Sequence, residues 1–206
     1  MPPILTKDGN LASTSKENVK ANGEVFTPEY IVNDMMAMIP SEFLADSSAV
    51  MIEPTCGTGN FLVKMYTTKR LAGLTINETL NTIIGMELNE KTVVVAQTRL
   101  YELVANDMIQ MGIKQASKQW FRMAIECVMI VRNNIFKVKD SLIVMNEYAK
   151  GKGTLANKKF VFSDPTGNNE VMTDKQRTAL ETKVKTAFRK HKDGTKSITL
   201  APFFGD

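Results

Sequence analysis

The chain has 206 residues, enough for one domain with a sizeable core; 43% hydrophobic and 23% charged residues are ordinary for a soluble globular chain. Two cysteines, Cys56 and Cys127, are too few for a disulfide framework, and no CxxC or Cys/His cluster suggests zinc. The formal charge of +4 permits nucleic-acid binding without establishing it, and nothing resembles a secretory signal or the roughly 20 apolar residues of a membrane span, so a reducing, cytoplasmic setting is expected.

Residues 1–22 are polar and aperiodic and read as a mobile arm; residues 23–206 are expected to form a single domain. In "GEVFTPEYIVNDMMAMIP", Thr27 suits an N-cap and Pro28 the first helical position, with Ile31, Met35, Met38 and Ile39 on one face. "AVMIE", 49–53, is an apolar run ending in an acid and predicts a buried strand. "NFLVKMYTTKRLAG" predicts a helix closing at Gly73, and Thr75 with Glu78 a capping box on a short helix. "TIIGMELN", 82–89, predicts a second strand, again ending in an acid, Glu87. The segment from Glu90 to about Gly112 predicts a long helix with Ala96, Leu100, Leu103 and Val104 in its stripe.

Residues 113–122 read as a connector, "ECVMIV" (126–131) as a further buried strand, and "NNIFKVKDSL" as a loop with an acid at Asp140. "LIVMNEYAKGKGTLANKK" begins as a helix or strand and ends as a Gly/Lys loop. "FVFSDPTGNNE" predicts a strand running into a turn, and "GTKSITLAPFFGD" a last strand. Between them, about 173–191, lies an amphipathic basic helix with Leu180, Val184 and Phe188 as its stripe. From 171 to 196, eight basic residues face three acids, a local +5 that suits either phosphate tracking or a solvated face. Strands alternating with helices predict an α/β fold with a predominantly parallel sheet.

The most informative stretch is "MIEPTCGTGNF", 51–61, where a strand, a glycine turn and a helix follow one another. Glycine removes the Cβ that would hold a ligand off the backbone, and such ligands bind beyond the carboxyl ends of parallel strands. The turn is neither GxxxxGK[ST] nor GxGxxG, since position 62 is Leu. An acid at the strand end repels phosphate. The pattern therefore suits a ligand with a cationic group and no phosphates, for which S-adenosylmethionine (SAM) qualifies. Glu87, ending the next strand, can accept hydrogen bonds from ribose hydroxyls. Taken singly, each feature also fits a generic turn or a solvated strand end.

These residues resemble the amino-group DNA methyltransferases that methylate adenine N6 in restriction–modification systems, with the gamma-class order of motifs. "GEVFTP" looks like the family's N-terminal motif, "IEPTCGTGNFL" like motif I, "GMELNEKTVVVAQTRL" like motif II and "NIFKVKDSL" like motif III. The resemblance implies a Rossmann-like class I methyltransferase fold, abbreviated at its C-terminal end. It also implies SAM contacts from Phe26 and Thr27, from Glu53, Pro54, Cys56, Gly57, Thr58, Gly59 and Phe61, from Glu87 and Leu88, and from Asp140 and Ser141 at the adenine. Cys56 is expected as a small packing residue in that turn, since the family uses no thiol chemistry. No metal is implied.

The family's catalytic tetrapeptide is Asn, Asp or Ser, then Pro-Pro, then an aromatic on which the flipped base stacks. No intact copy exists here. In "FSDPTG", Asp164 and Pro165 match the first two positions, while Thr166 and Gly167 replace the others. Loss of the aromatic platform could forfeit ~1–3 kcal/mol of base stacking. The expectation is a SAM-dependent adenine-N6 methyltransferase acting on DNA. The alternatives are an inactive SAM-binding subunit or decoy, half of a split enzyme completed by a protein partner, and a nucleic-acid-binding module with a vestigial pocket.

Overall fold

The computed structural model describes residues 27–115 and 117–152, together with Thr178, Ala179 and Thr182. Helices α1 (Glu29–Ala37) and α2 (Ser41–Ala45) lead into strand β1 (Met51–Glu53). Helices α3 (Asn60–Leu71) and α4 (Ile76–Asn81) cross to β2 (Ile83–Glu87). Helices α5 (Glu90–Gln110) and α6 (Lys118–Asn134) cross to β3 (Ile135–Lys137), and α7 (Ser141–Ala149) follows. The strands pair in parallel in the order β1-β2-β3, with Met51 opposite Ile83 and Gly85 opposite Ile135. Parallel neighbours need long crossovers, and the helix pairs supply them. The α/β class with a parallel, helix-flanked sheet is as expected, and the sheet is short: three strands among the described residues.

Side chains alternate across the sheet. Met51, Ile83 and Ile135 join the main core, where they meet Leu62, Met65, Leu100, Val104 and Val128 of the crossover helices. Ile84 and Met86 face the other way, with Val50, Ile52, Phe136 and Val138, and there Val144 and Met145 of α7 pack against them. Among the described residues no helix is long and apolar enough to cross a membrane.

Several elements follow the sequence reading closely. The helix after the glycine turn ends at Leu71, with Gly73 at φ 101° just beyond. The Thr75–Glu78 capping box forms in both directions. The long helix α5 runs to Gln110, and the strands at 51–53 and 83–87 lie inside their expected spans.

Five expectations are corrected. The run 126–131 is helical: Cys127 to Val131 are all buried because α6 is enclosed, and an all-apolar run does not tell a buried helix from a buried strand. That helix opens on Ser117, whose Oγ accepts from the Trp120 N–H at 3.1 Å, so Trp120 lies in the core rather than in a connector. The third strand is Ile135–Lys137, in the segment read as a loop; Val138 N–H extends its pairing to the Glu87 carbonyl at 2.8 Å. The first helix begins at Glu29, with Pro28 rather than Thr27 in the capping position and its carbonyl accepting from Val32 N–H. Its buried residues are Val32 and Met36, whereas Met35 and Met38 are 46% and 75% exposed. That helix is apolar on two sides, so periodicity alone chose the wrong one.

The undecided segment after Asp140 is a helix. The arm at 1–22, Phe26, the strand and turn carrying Asp164 and Pro165, and the last strand lie outside the described residues. Of the basic helix at 173–191, only Thr178, Ala179 and Thr182 are described; all three are helical and exposed.

The crossover layer is bolted by a polar cluster. Asp107 on α5 accepts from Arg70 Nε at 2.5 Å and from Tyr66 Oη at 2.8 Å, both on α3. Arg70 also donates to the Leu74 carbonyl, fixing the turn after α3. Burial pushes the Asp107 carboxyl up, but the bonds from Arg70 and Tyr66 outweigh it and hold it below its ordinary value of 3.8. Lys69, wholly buried, donates to the carbonyls of Ala49 at 2.8 Å and Asp46 at 3.3 Å, and so pins the entry to β1. An Asp107→Asn variant should lose about 1–3 kcal/mol of stability at neutral pH. A depressed carboxyl stabilises above its unfolded pKa, and that contribution disappears as pH falls through the folded pKa. Denaturation of both proteins across pH should therefore show a gap that is full at neutral pH and closes below 3.8. A pH-independent gap would contradict this assignment.

Candidate functional site

Because the three strands run parallel, their carboxyl ends share one edge of the sheet. Two of them end in an acid, Glu53 and Glu87, and a third acid, Asp140, lies three residues past β3. The turn from Pro54 to Gly59 leaves β1 at that edge. Its course is fixed at once: Cys56 N–H donates to the Met86 carbonyl at 2.8 Å, and Gly59 N–H closes back on the Cys56 carbonyl at 2.8 Å.

The two glycines serve different needs. Gly57 has φ 50° and Gly59 φ 93°, in the left-handed region that favours glycine. A Cβ on Gly57 would meet nothing within 4 Å, so the turn is open on that side. A Cβ on Gly59 would come within 3.3 Å of Ala96 Cβ, so Gly59 lets the start of α3 sit against α5.

Glu87 is bound to this turn. Its Oε2 accepts from Gly57 N–H at 3.0 Å, and its Oε1 accepts from the N–H groups of Leu88 at 2.7 Å and Asn89 at 3.0 Å. A carboxylate offers about four lone-pair directions, so roughly one is left. Glu53 is less engaged. Its Oε1 accepts from Thr55 N–H at 3.2 Å and Thr55 Oγ at 3.3 Å, and its other oxygen has no hydrogen bond among the described residues. Neither acid is in an ion pair with a described basic residue.

Cys56 lies in the same turn. Burial first, then the charges of Glu87 and Glu53, pushes its thiol up to about 12. A thiol so far from ionisation is no nucleophile at neutral pH. Its Sγ points at the Gly57 carbonyl at 3.7 Å, and the residue packs as expected of a small side chain.

The remaining candidates are placed less uniformly. Pro54 and Thr58 are half-buried members of the turn, and Leu88 stands 53% exposed directly after Glu87. Phe61, in the first turn of α3, packs partly into the main core. Asp140 is exposed and caps α7, its Oδ1 accepting from Leu142 and Ile143 N–H, and Ser141 is the first residue of that helix. Thr27 is tied to the turn through its backbone: its carbonyl accepts from Asn60 Nδ2 at 3.1 Å.

Two residues not singled out in the sequence complete this neighbourhood. Asn60 starts α3, and Arg99 reaches across from α5. Arg99 Nη1 donates to the Thr58 carbonyl at 2.8 Å, to Thr58 Oγ at 3.3 Å and to Asn60 Oδ1 at 2.9 Å. The signal for Arg99 was a charge set beside the apolar stripe of α5, next to Leu100 and one turn after Ala96. Nothing in the sequence marked Asn60.

The edge thus carries an open glycine turn and two carboxylates with acceptor capacity to spare, neither of them in an ion pair among the described residues. That arrangement suits a ligand with positive charge and hydroxyl donors, and it disfavours a phosphate. Among known families, the N-6 DNA methylase model matches residues 9–162. A search of curated proteins and a search of solved structures each return no match. The match covers β1, the glycine turn, β2 and β3 and ends two residues before Asp164. On a match over more than half of its length, this chain belongs to the N-6 DNA methylase family.

Proposed function

We propose that the chain binds SAM at the carboxyl edge of β1 and β2 and takes part in methyl transfer to adenine N6 of DNA. Its family generally uses SAM for that reaction. The observation that carries the reading is the pairing of Glu53 and Glu87 around a turn that is open at Gly57. Both carboxylates favour a cationic methionine end with its amine and sulfonium. Glu53, with the freer oxygen, is assigned to the amine. Glu87 is assigned to the ribose, where its remaining acceptor direction takes one hydroxyl. Phe26, Thr27, Pro54, Cys56, Thr58 and Phe61 frame the methionine end, Leu88 lies against the adenine, and Asp140 with Ser141 meets its exocyclic amine.

SAM supplies an activated methyl group on its sulfonium. The target amine is assigned to Asp164 and Pro165, whose side-chain and backbone oxygens would accept its hydrogens and hold its nitrogen ready. The order of motifs is that of the gamma class, and the setting is a cytoplasmic restriction–modification or phage-type system. We read residues 23–206 as one such domain.

A second reading is favoured by a specific observation. Thr166 and Gly167 stand where the family has its second proline and aromatic, and the family match stops at residue 162. On this reading the chain binds SAM without transferring methyl, as a subunit or as half of an enzyme completed by a partner protein.

Calorimetric titration of SAM, with radiolabelled methyl transfer to mixed-sequence DNA from the same preparation, separates the two. The enzyme reading expects binding and incorporation into adenine. Binding without incorporation, with and without candidate partner subunits, would leave only the second reading. No binding would overturn both. Glu87→Ala should weaken SAM by about 10–100-fold, the scale of losing hydrogen bonds to a charged group. Unchanged affinity in a folded variant would remove Glu87 from the site.

A further inference from the structure

We propose that Arg99 is a positioning residue of the cofactor cradle, fixing the glycine turn directly and the Thr27 segment through Asn60. This rests on the SAM-binding reading above. The cluster joins three separate parts of the chain. Arg99 lies 41 residues from Thr58 and 39 from Asn60, and Asn60 lies 33 from Thr27.

The chemistry of each group makes the order directional. A guanidinium only donates, and it stays charged at any working pH. Arg99 can therefore engage only the oxygen of the Asn60 amide, which it does at 2.9 Å. With Oδ1 taken, the same amide must turn its Nδ2 the other way, and there it donates to the Thr27 carbonyl at 3.1 Å. The Thr27 carbonyl only accepts, so it selects the same orientation, and with Arg99 in place the amide is fixed from both ends. The Thr58 carbonyl, between the two glycines, takes a second donation at 2.8 Å.

The turn is consequently held from two sides by opposite charges. Glu87 holds the N–H of Gly57, and Arg99 holds the carbonyl of the next residue. Two left-handed glycines make a turn with many alternative conformations. A turn fixed before ligand arrives does not lose that freedom on binding, so fixing it raises affinity. Arg99 does this without forming an ion pair with either acid: its bonds go to Thr58 and Asn60 and not to Glu53 or Glu87. The half-buried guanidinium is costly to desolvate, and a tie of packing alone needs no charge there.

The test is SAM affinity measured by calorimetry on folded, cooperatively melting variants. Arg99→Met keeps the length of the stem and removes the donors; it should weaken SAM by about 10–100-fold. Arg99→Lys keeps one charged donor and should recover part of that loss. Asn60→Asp keeps the acceptor for Arg99 but sets a carboxylate against the Thr27 carbonyl, and should also weaken binding. In the Arg99→Met/Asn60→Asp double variant the losses should fall short of additive, because both act through one relay. A purely structural tie would lower the melting temperature and leave SAM affinity unchanged, which would overturn the proposal. If Arg99→Met does not fold, the Lys and Asp variants decide on the same terms. Wild-type protein that fails to bind SAM would overturn the cofactor reading and this inference with it. Wild-type binding equalled by the variants would overturn this inference alone.

Discussion

The hydrogen bond from Gly57 N–H to the Glu87 carboxylate joins two points 30 residues apart and sets the geometry of the whole carboxyl edge. It is possible only because β1 and β2 are parallel and in register, so that the turn leaving β1 passes the tip of β2. That register in turn needs a crossover of two helices, α3 and α4, which the Arg70–Asp107–Tyr66 cluster locks to α5. The buried Lys69, bonded to the carbonyls just before β1, fixes the other end of the strand. The site is therefore a consequence of how the crossover layer packs, although among its described residues only Cys56 and Gly59 are fully buried.

The electrostatic character of the edge follows from the same arrangement. Parallel strands bring their terminal acids together, and among the described residues both are bonded by backbone N–H groups rather than by ion pairs. Glu87 takes three such groups and Glu53 one, with the Thr55 hydroxyl. The acids thus keep their charge available to a ligand. Burial first, then the charges of both acids, holds the thiol of Cys56 up to about 12, so it stays protonated beside them. A nucleotide phosphate would enter this field at a cost, whereas a sulfonium and an amine would be drawn to it.

What was legible in the sequence is what local chemistry dictates. An apolar run closed by an acid marked β1 and β2, the glycine spacing marked the turn, and Thr75 with Glu78 marked a cap that forms as written. What was misread depended on tertiary context. Cys127 to Val131 form an apolar run that suits a strand, but here they lie in a helix enclosed on all sides. Ile135 to Lys137 is too short and too mixed to declare itself, and it becomes a strand because β2 offers an open parallel edge. In α1 the apolar residues span more than one face, and contact with α3 selected Val32 and Met36. The Arg99–Asn60–Thr27 relay was invisible for a simpler reason: each link spans more than thirty residues, and spacing rules do not reach that far.

The central claim is that ligand sits at the carboxyl edge, against the glycine turn. Backbone amide chemical shifts of isotope-labelled protein, followed as SAM is added, test it most directly. The account predicts that the largest shifts fall on Gly57, Thr58 and Gly59 and on Leu88 and Asn89 beside Glu87. Shifts that cluster elsewhere while these five stay unmoved would contradict it.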